Sequence, residues 1–300
     1  MKRINEDVVK NINYKQFTSS GVKGFFQAIV ANKMSLVGLI ILTMFLLMAI
    51  LGPILVDNPR SDYLNRLQGP SAEHWLGTDF AGKDTFGQLI IGSRSVLLVA
   101  FWAAAISITF ASIIGILSGL LGGVVDSVLM FITNIIITIP SFPVTMILSM
   151  VISIDNSFMF GLVLSLWSWA GLAKAIRSQV LVLKNKDFIE ASRILGLSNV
   201  DIMINDIIPN IMSYISVNFI SIMKDAIMAS VGLMYLGLVP FSGNHWGMMI
   251  QLALTNTGAL LGSGSLLYFL SPVVMLILFQ LGSYLFATGL ETAMNPRLRN

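Results

Sequence analysis

SVLLVAFWAAAISITFASIIGILSGLLGGVV, Ser95 to Val125, carries no charged residue. A helix of about 20 residues crosses the hydrocarbon core of a bilayer, so this stretch alone reads as a membrane span. Outward from it, Ser35 to Val56, Ser127 to Ile154 and Asn156 to Ala173 are also uncharged. Ile207 to Met223 reaches spanning length when extended through Lys224 and Asp225 to about Leu236. Trp246 to Leu290 is long enough to hold a loop and then a last span from about Leu266 to Gly289. Only 11% of the 300 residues are charged and 55% are hydrophobic, against roughly 25% charged in soluble domains. The chain is expected to be an all-α polytopic membrane protein with six transmembrane helices.

Charge placement sets the expected orientation. Lys2, Arg3, Lys10, Lys15, Lys23 and Lys33 precede the first span, Lys174, Arg177, Lys184, Lys186 and Arg193 lie around the connection after the fourth, and Arg297 and Arg299 follow the sixth. Six spans put all of these on one side and Arg60, Arg66, Lys83 and Arg94 on the other. The excess of basic residues marks the cytoplasmic side, so both termini are expected in the cytoplasm of a cell with the chain in its cytoplasmic membrane. Trp246 to Gly262 would reverse that parity as a seventh span. The polar interruption Thr255, Asn256, Thr257 and Gly258 argues instead for a surface or re-entrant segment on the outer face. The expected division is a tail at 1–33, a membrane domain at 34–290 with outer loops at 57–94 and 237–265 and a cytoplasmic loop at 184–206, and a tail at 291–300. Glu6 and Asp7 make the first segment a polar tail that stays attached rather than a secretory signal.

Several function classes lose their footing on residue content. The chain has no cysteine, so a disulfide framework, a thiolate metal site and a cysteine nucleophile are absent. It has no GxxxxGK[ST] phosphate loop, and neither HExxH nor GxSxG to support a membrane-embedded hydrolase. His74 and His245 stand alone in expected outer loops, a poor donor set for a first-row metal. A secondary transporter built from inverted repeats finds no internal repeat. A net charge of +3 gives no reason to expect a nucleic-acid partner.

Within the spans, Gly115, Gly119 and Gly123 recur every four residues and so share a helix face open to close approach by another helix. Pro140 and Pro143 are expected to bend the third span near its middle, because proline removes a helical hydrogen bond and crowds the preceding turn. The connections Gly122 to Asp126 and Ser153 to Ser157 read as tight turns between antiparallel helices.

One polar island interrupts the second half of the chain: EASRILGLSNVDIMINDIIPN, Glu190 to Asn210. Asp187 to Leu195 is amphipathic, Gly196 permits a left-handed turn, and Ser198 is placed to cap a second helix from Asn199. Pro209 falls near the start of the fifth span, where a missing N–H costs least. The spacing predicts two short helices lying across the membrane surface, a rigid handle for a cytoplasmic partner.

Glu190, Ala191, Ser192, Gly196 and, further on, Ile208 and Pro209 resemble the EAA coupling loop of permease subunits of bacterial ATP-binding-cassette importers. HWLGTDFAGKD, His74 to Asp84, with Gly92, Arg94 and Ser95 after it, is similar to the first outer loop of the DppC/OppC type in the dipeptide, oligopeptide and nickel branch. Trp169, Ala173, Lys174, Arg177, Tyr235, Leu236, Gly237, Trp246, Gly247 and Asn295, Pro296, Arg297 fit the same pattern in order. The resemblance implies the type I importer permease fold, with Glu190, Ala191, Ser192, Gly196, Asp206 and Pro209 in an ATPase-coupling loop and Gly77, Thr78, Asp79, Gly82, Lys83, Asp84 and Arg94 in a family outer-loop motif. It further implies a second homologous permease subunit, two cytoplasmic ATPases that bind ATP and Mg, and an external substrate-binding protein. No cofactor is expected on this chain. Di- or oligopeptides are the implied cargo, with nickel or metal chelates and oligosaccharides as the alternative.

This chain departs from that pattern in places. Asp206 stands where a hydrophobic residue is general, Lys83 where arginine is usual, and Ser230, Phe131 and Asn134 where charged residues are common. Asp79 and Asp84 read either as turn residues bonding their own backbone or as contacts to the external binding protein. Lys224 and Asp225 are candidate pathway or gate residues, because ionisable groups within a span favour a wet cavity or a bundle interior. Adjacent residues diverge by about 100° around a helix, so this pair is not expected to neutralise itself; the alternative is that both snorkel at the outer interface.

The absence of native cysteine allows a direct check of the topology. Lys15→Cys, Ser198→Cys and Asn300→Cys should resist an impermeant thiol reagent in intact cells, and Ser61→Cys should be labelled; labelling at position 198 would overturn the arrangement.

Overall fold

The computed structural model describes residues 32–239, 244–257 and 266–294. The N-terminal tail before Asn32, Pro240 and Gly243, the stretch 258–265 and the Asn295 to Arg297 motif lie outside them. Helices α1 (Lys33–Leu55), α2 (Thr85–Leu121), α3 (Gly123–Thr138), α4 (Ser141–Val151) and α5 (Ser157–Leu183) form the first half. The second half consists of α6 (Asp187–Ile194), α7 (Asn199–Ile202), α8 (Ile208–Tyr235), α9 (Trp246–Thr257) and α10 (Leu266–Met294). Among the described residues the only β pairing is an isolated bridge between Thr78 and Asp84.

Five helical stretches are long and apolar enough to cross a membrane: α1, α2, α5, the continuous Asn199–Tyr235, and Leu266–Glu291 of α10. Helices α3 and α4 count as the sixth, bent by 82°. The bend falls at Pro140, whose extended backbone (ψ 107°) separates the two helices, while Pro143 sits in the first turn of α4, where its missing N–H has no helical partner to lose.

Glycines set how closely the spans approach, and the order of their contacts runs α2 parallel to α5 and α1 antiparallel to α10. A Cβ on Gly115 would lie 2.6 Å from Ala173 O on α5, and one on Gly161 of α5 would lie 2.9 Å from Val99 O on α2. Gly119 meets Val180 in the same way, at 2.8 Å. Gly123, expected on this face, is not part of it. Gly122 ends α2 with φ +69°, and Gly123 opens α3 with φ +56° and open space around it. The connection is thus a glycine corner, and Asp126 lies inside α3 rather than in a turn. Helices α1 and α10 form a second close pair, a Gly289 Cβ falling 2.4 Å from Ser35 N, and Asn32 Nδ2 donates to Gly289 O at 3.2 Å.

These pairings place the start of α1, the end of α10 and the 184–210 segment at one end of the bundle. The loop 56–84 and α9 gather at the other. Helix α2 already begins at Thr85 with Asp84 as its N-cap, so the outer-loop residues Gly92 and Arg94 stand on the helix and not in a loop. Helix α9 has 12 residues, too few for a seventh crossing, and it folds back on the bundle. Trp246 is fully buried with its Nε1 donating to Leu89 O at 2.9 Å, its ring 5.9 Å from that of Phe45, and Gly247 lets α9 close on Val231 of α8. One apolar core surrounds Trp246, Phe45, Phe279 and Tyr268 at this end. A second, around Ile116, Ile176, Ile189, Ile202 and Ile207, lies under the 184–210 segment.

Candidate functional site

The polar island folds as its punctuation requires. Helix α6 stops at Ile194, after which Leu197 N bonds Ser192 O at 3.1 Å and Gly196 N bonds Arg193 O at 2.9 Å. This pair of bonds is the Schellman closure, which needs a left-handed residue; Gly196 supplies it with φ +78°. Ser198 then caps α7 in a reciprocal box, its side chain accepting from Asp201 N while Asp201 accepts from Ser198 N. From Met203 to Ile207 the chain makes a π-helical turn that runs into α8, with Pro209 in the first turn of that helix. Helix α7 is therefore a rigid extension of the fifth span.

Asp206, polar where the general coupling-loop pattern is hydrophobic, has a structural use within that π-helical turn. Its Oδ2 lies 2.9 Å from Ser192 Oγ, and its backbone carbonyl accepts from Asn210 Nδ2 at 2.6 Å. Ser192 Oγ also lies 3.1 Å from Phe188 O, and its one proton favours the charged acceptor. The bond ties α6 back to the entrance of α8. Ile189, Ile202 and Ile207, all fully buried, seat the two short helices on the bundle. The opposite face shows Ile194 (80% exposed), Leu195 (74%), Val200 and Ile204, with Glu190, Ala191 and Arg193 exposed beside them.

Beneath this segment lies a cluster that spacing did not reveal. Arg177 on α5 donates through Nε and Nη2 to the two carboxylate oxygens of Asp126 on α3, both at 2.5 Å. Ser118 Oγ on α2 donates to the same carboxylate, and Lys184 Nζ caps the end of α2 by donating to Leu120 O at 2.8 Å. Lys174 Nζ reaches Asn134 Oδ1 at 3.2 Å, so one departure from the family pattern still bridges α3 to α5. Ser230, another, is buried and donates to Ile227 O, whereas Phe131 is exposed.

At the other end, the outer-loop motif closes on itself. Asp79, 2% exposed, accepts from Ala81 N and Lys83 N at 2.8 Å through Oδ1 and from Gln88 Nε2 at 3.0 Å through Oδ2. Asp84 caps α2 by accepting from Gly87 N at 2.6 Å, with His74 Nδ1 3.0 Å from its other oxygen. Thr78 bridges Asn65 and Gln68. Gly77 and Gly82 both have φ +75°, and a Cβ on Gly82 would collide with Asp62 O at 1.6 Å. These residues bond their own loop, and Asp79 presents no surface to an outside protein. Lys83 is half-buried and Arg94 exposed. His245 is buried at the head of α9, where its Nδ1 accepts from Gly247 N and burial pushes its pKa down to about 3. It is held neutral and used for packing.

Lys224 and Asp225 differ from expectation. Lys224 Nζ lies 3.6 Å from Asp225 Oδ1, an ion pair on one helix face despite the angular offset, because the long lysine stem spans it. Gln280 of α10 donates to Lys224 O at 3.2 Å. The Asp225 side chain is still 75% exposed.

Comparison with known proteins finds a family and relatives along most of the chain. Residues 111–300 match the family described as "Binding-protein-dependent transport system inner membrane component", and residues 22–70 match "N-terminal TM domain of oligopeptide transport permease C". The oligopeptide transport system permease protein OppC of Bacillus subtilis is 33% identical over 272 residues, covering 90% of this chain and 87% of its own length. The dipeptide transport system permease protein DppC of Alkalihalophilus pseudofirmus is 31% identical over 281 residues, with 92% and 90% covered. The OppC protein of Haemophilus influenzae is 30% identical over 280 residues, with 89% and 86% covered.

The closed outer loop yields a stability test. Asp79→Ala leaves three donors without their acceptor, at about 1–3 kcal/mol for each buried one, and should lower the melting temperature in detergent and open residues 62–84 to protease. Asp79→Asn, which keeps Oδ1 for the two loop amides and loses only the acceptor for Gln88, should fall between wild type and Asp79→Ala; equal behaviour of the two variants would refute the role.

Proposed function

The chain belongs to the family of binding-protein-dependent transport system inner membrane components, and from that premise we propose that it is one permease subunit of an ATP-binding-cassette importer for di- or oligopeptides. The relatives are named as oligopeptide and dipeptide permeases, which favours peptides over metal chelates or oligosaccharides. A second, homologous permease subunit completes the pathway. Two cytoplasmic ATPases bind ATP and Mg, and an external binding protein delivers the cargo. The side carrying the 184–210 segment and both chain ends is cytoplasmic in this reading, supported by the Lys and Arg excess there.

The observation that carries the proposal is the exposed apolar crown Ile194, Leu195, Val200 and Ile204, set on a fully buried isoleucine base. Large apolar groups held out at a polar end, on a segment stiffened by a Schellman turn, a capping box and the Ser192–Asp206 bond, suit a groove on a partner. Glu190 lies at the rim of that surface. When the ATPases close, the docked segment is displaced; α7 passes the displacement into the fifth span without a loop between them. Lys224 and Asp225 lie on that span. As candidate pathway or gate residues they offer both signs of charge to the ends of a passing peptide, or hold the outer gate through the partner subunit.

Gly196→Asp places a carboxylate where nothing else of this chain lies within 4 Å and also strains the left-handed turn that orients the segment. Glu190→Lys reverses charge at the contact. Both should insert in the membrane yet lose roughly tenfold or more of uptake together with ATPase association, as hot-spot changes at an interface do; normal uptake by both would refute the coupling role. For the charge pair, Lys224→Met and Asp225→Asn should change uptake or basal hydrolysis in reconstituted membranes with assembly intact, and wild-type values for both would assign the pair to the interface alone.

A further inference from the structure

Helix α3 is poorly held by apolar packing. Thr133 is its one buried residue, and Val124, Val128, Phe131, Ile132 and Ile135 all face outward. Its ties are polar: the two-pronged Asp126–Arg177 pair with Ser118 as a further donor, and the Lys174–Asn134 bond. Only 11% of the chain is charged, and a forked guanidinium–carboxylate pair fixes orientation as well as distance. Arg177 stands two turns before the end of α5, and α5 leads through Lys184 into α6.

We propose that Asp126 and Arg177 are positioning residues that clamp α3 to α5, so that displacement of the 184–210 segment carries the bent third span α3–α4 with it. The clamp joins α2 through Ser118 and Lys184, making the ends of three helices one body beneath the docking surface. The fifth span receives the motion through α7, and the third receives it through this pair. The Pro140 bend then lets α4 swing while α3 follows α5. The idea rests on the importer reading for the source of the displacement; the clamp itself does not.

The test uses the complete importer, assembled with its partner subunits in proteoliposomes. Spin labels attached to Val124→Cys and Val182→Cys on this chain, which has no other cysteine, before assembly with the partner subunits report the α3 to α5 distance without nucleotide and with ATP trapped. With the native pair the distance distribution should be narrow and unchanged between the two states. In Arg177→Gln and Asp126→Asn it should broaden, and uptake per ATP hydrolysed should fall roughly 5–150-fold, the range of ordinary coupling energies. Arg177→Lys, which keeps charge but loses the fork, should recover part of both. A distribution as narrow in Arg177→Gln as in wild type, or an unchanged uptake per ATP, would overturn the proposal. Absence of ATP-driven uptake in the wild-type assembly would instead count against the importer reading, while the label distances would still judge the clamp.

Discussion

The close backbone contact between α2 and α5 is the constraint on which the other parts depend. In lipid, helices gain no hydrophobic free energy by associating, so packing at short range and polar bonds must hold them. Gly115, Gly119 and Gly161 let the two helices approach until only a hydrogen atom fits. Helix α2 then carries the 56–84 loop and the Trp246 dock at one end. Helix α5 carries the 184–210 segment at the other. A shift of this pair would therefore move both ends together.

The 184–210 segment is stiff for reasons that belong to aqueous chemistry, and that explains why its fold was legible. Gly196, Ser198 and Pro209 each impose a local backbone rule, and the chain obeys all three. The six spans were legible because uncharged length is nearly sufficient in a bilayer. The bend at Pro140 followed from a missing N–H. Glycine spacing found the α2–α5 face through Gly119 but carried one step too far, since spacing does not say where a helix ends.

What stayed hidden depends on residues brought together from far apart. Asp126 and Arg177 are separated by 51 positions; Asp126 read as the end of a turn and Arg177 as a basic residue on the approach to the polar island, and neither reading paired them. The burial of Asp79 follows from Gln88 and two loop amides converging on it, a closure that the motif alone left undecided between turn and contact. Counting helical angle left out the reach of the lysine stem, which brings Lys224 Nζ to 3.6 Å from Asp225 Oδ1. Nor did periodicity suggest the use of Asp206, because its partner Ser192 lies across a turn on another helix.

The surface of the single chain carries its own argument about assembly. Val124, Phe131, Met150 and Val151 stand outward on the third span, as lipid contact or a packed neighbour would require. Asp225 also stands outward, 75% exposed, within a helix that passes the length and hydropathy test for a span. A carboxylate facing hydrocarbon costs up to about 2.5–3.5 kcal/mol, the value at a helix centre on the mildest scale, and less toward the interface. One ion pair at 3.6 Å with a half-exposed lysine offsets little of that, because the carboxylate's remaining acceptor sites stay unfilled. That face of α8 is therefore unsuited to lipid and suited to water or to polar groups of another subunit. The same helix continues the 184–210 segment, so the face unsuited to lipid and the exposed apolar surface of that segment belong to one continuous element.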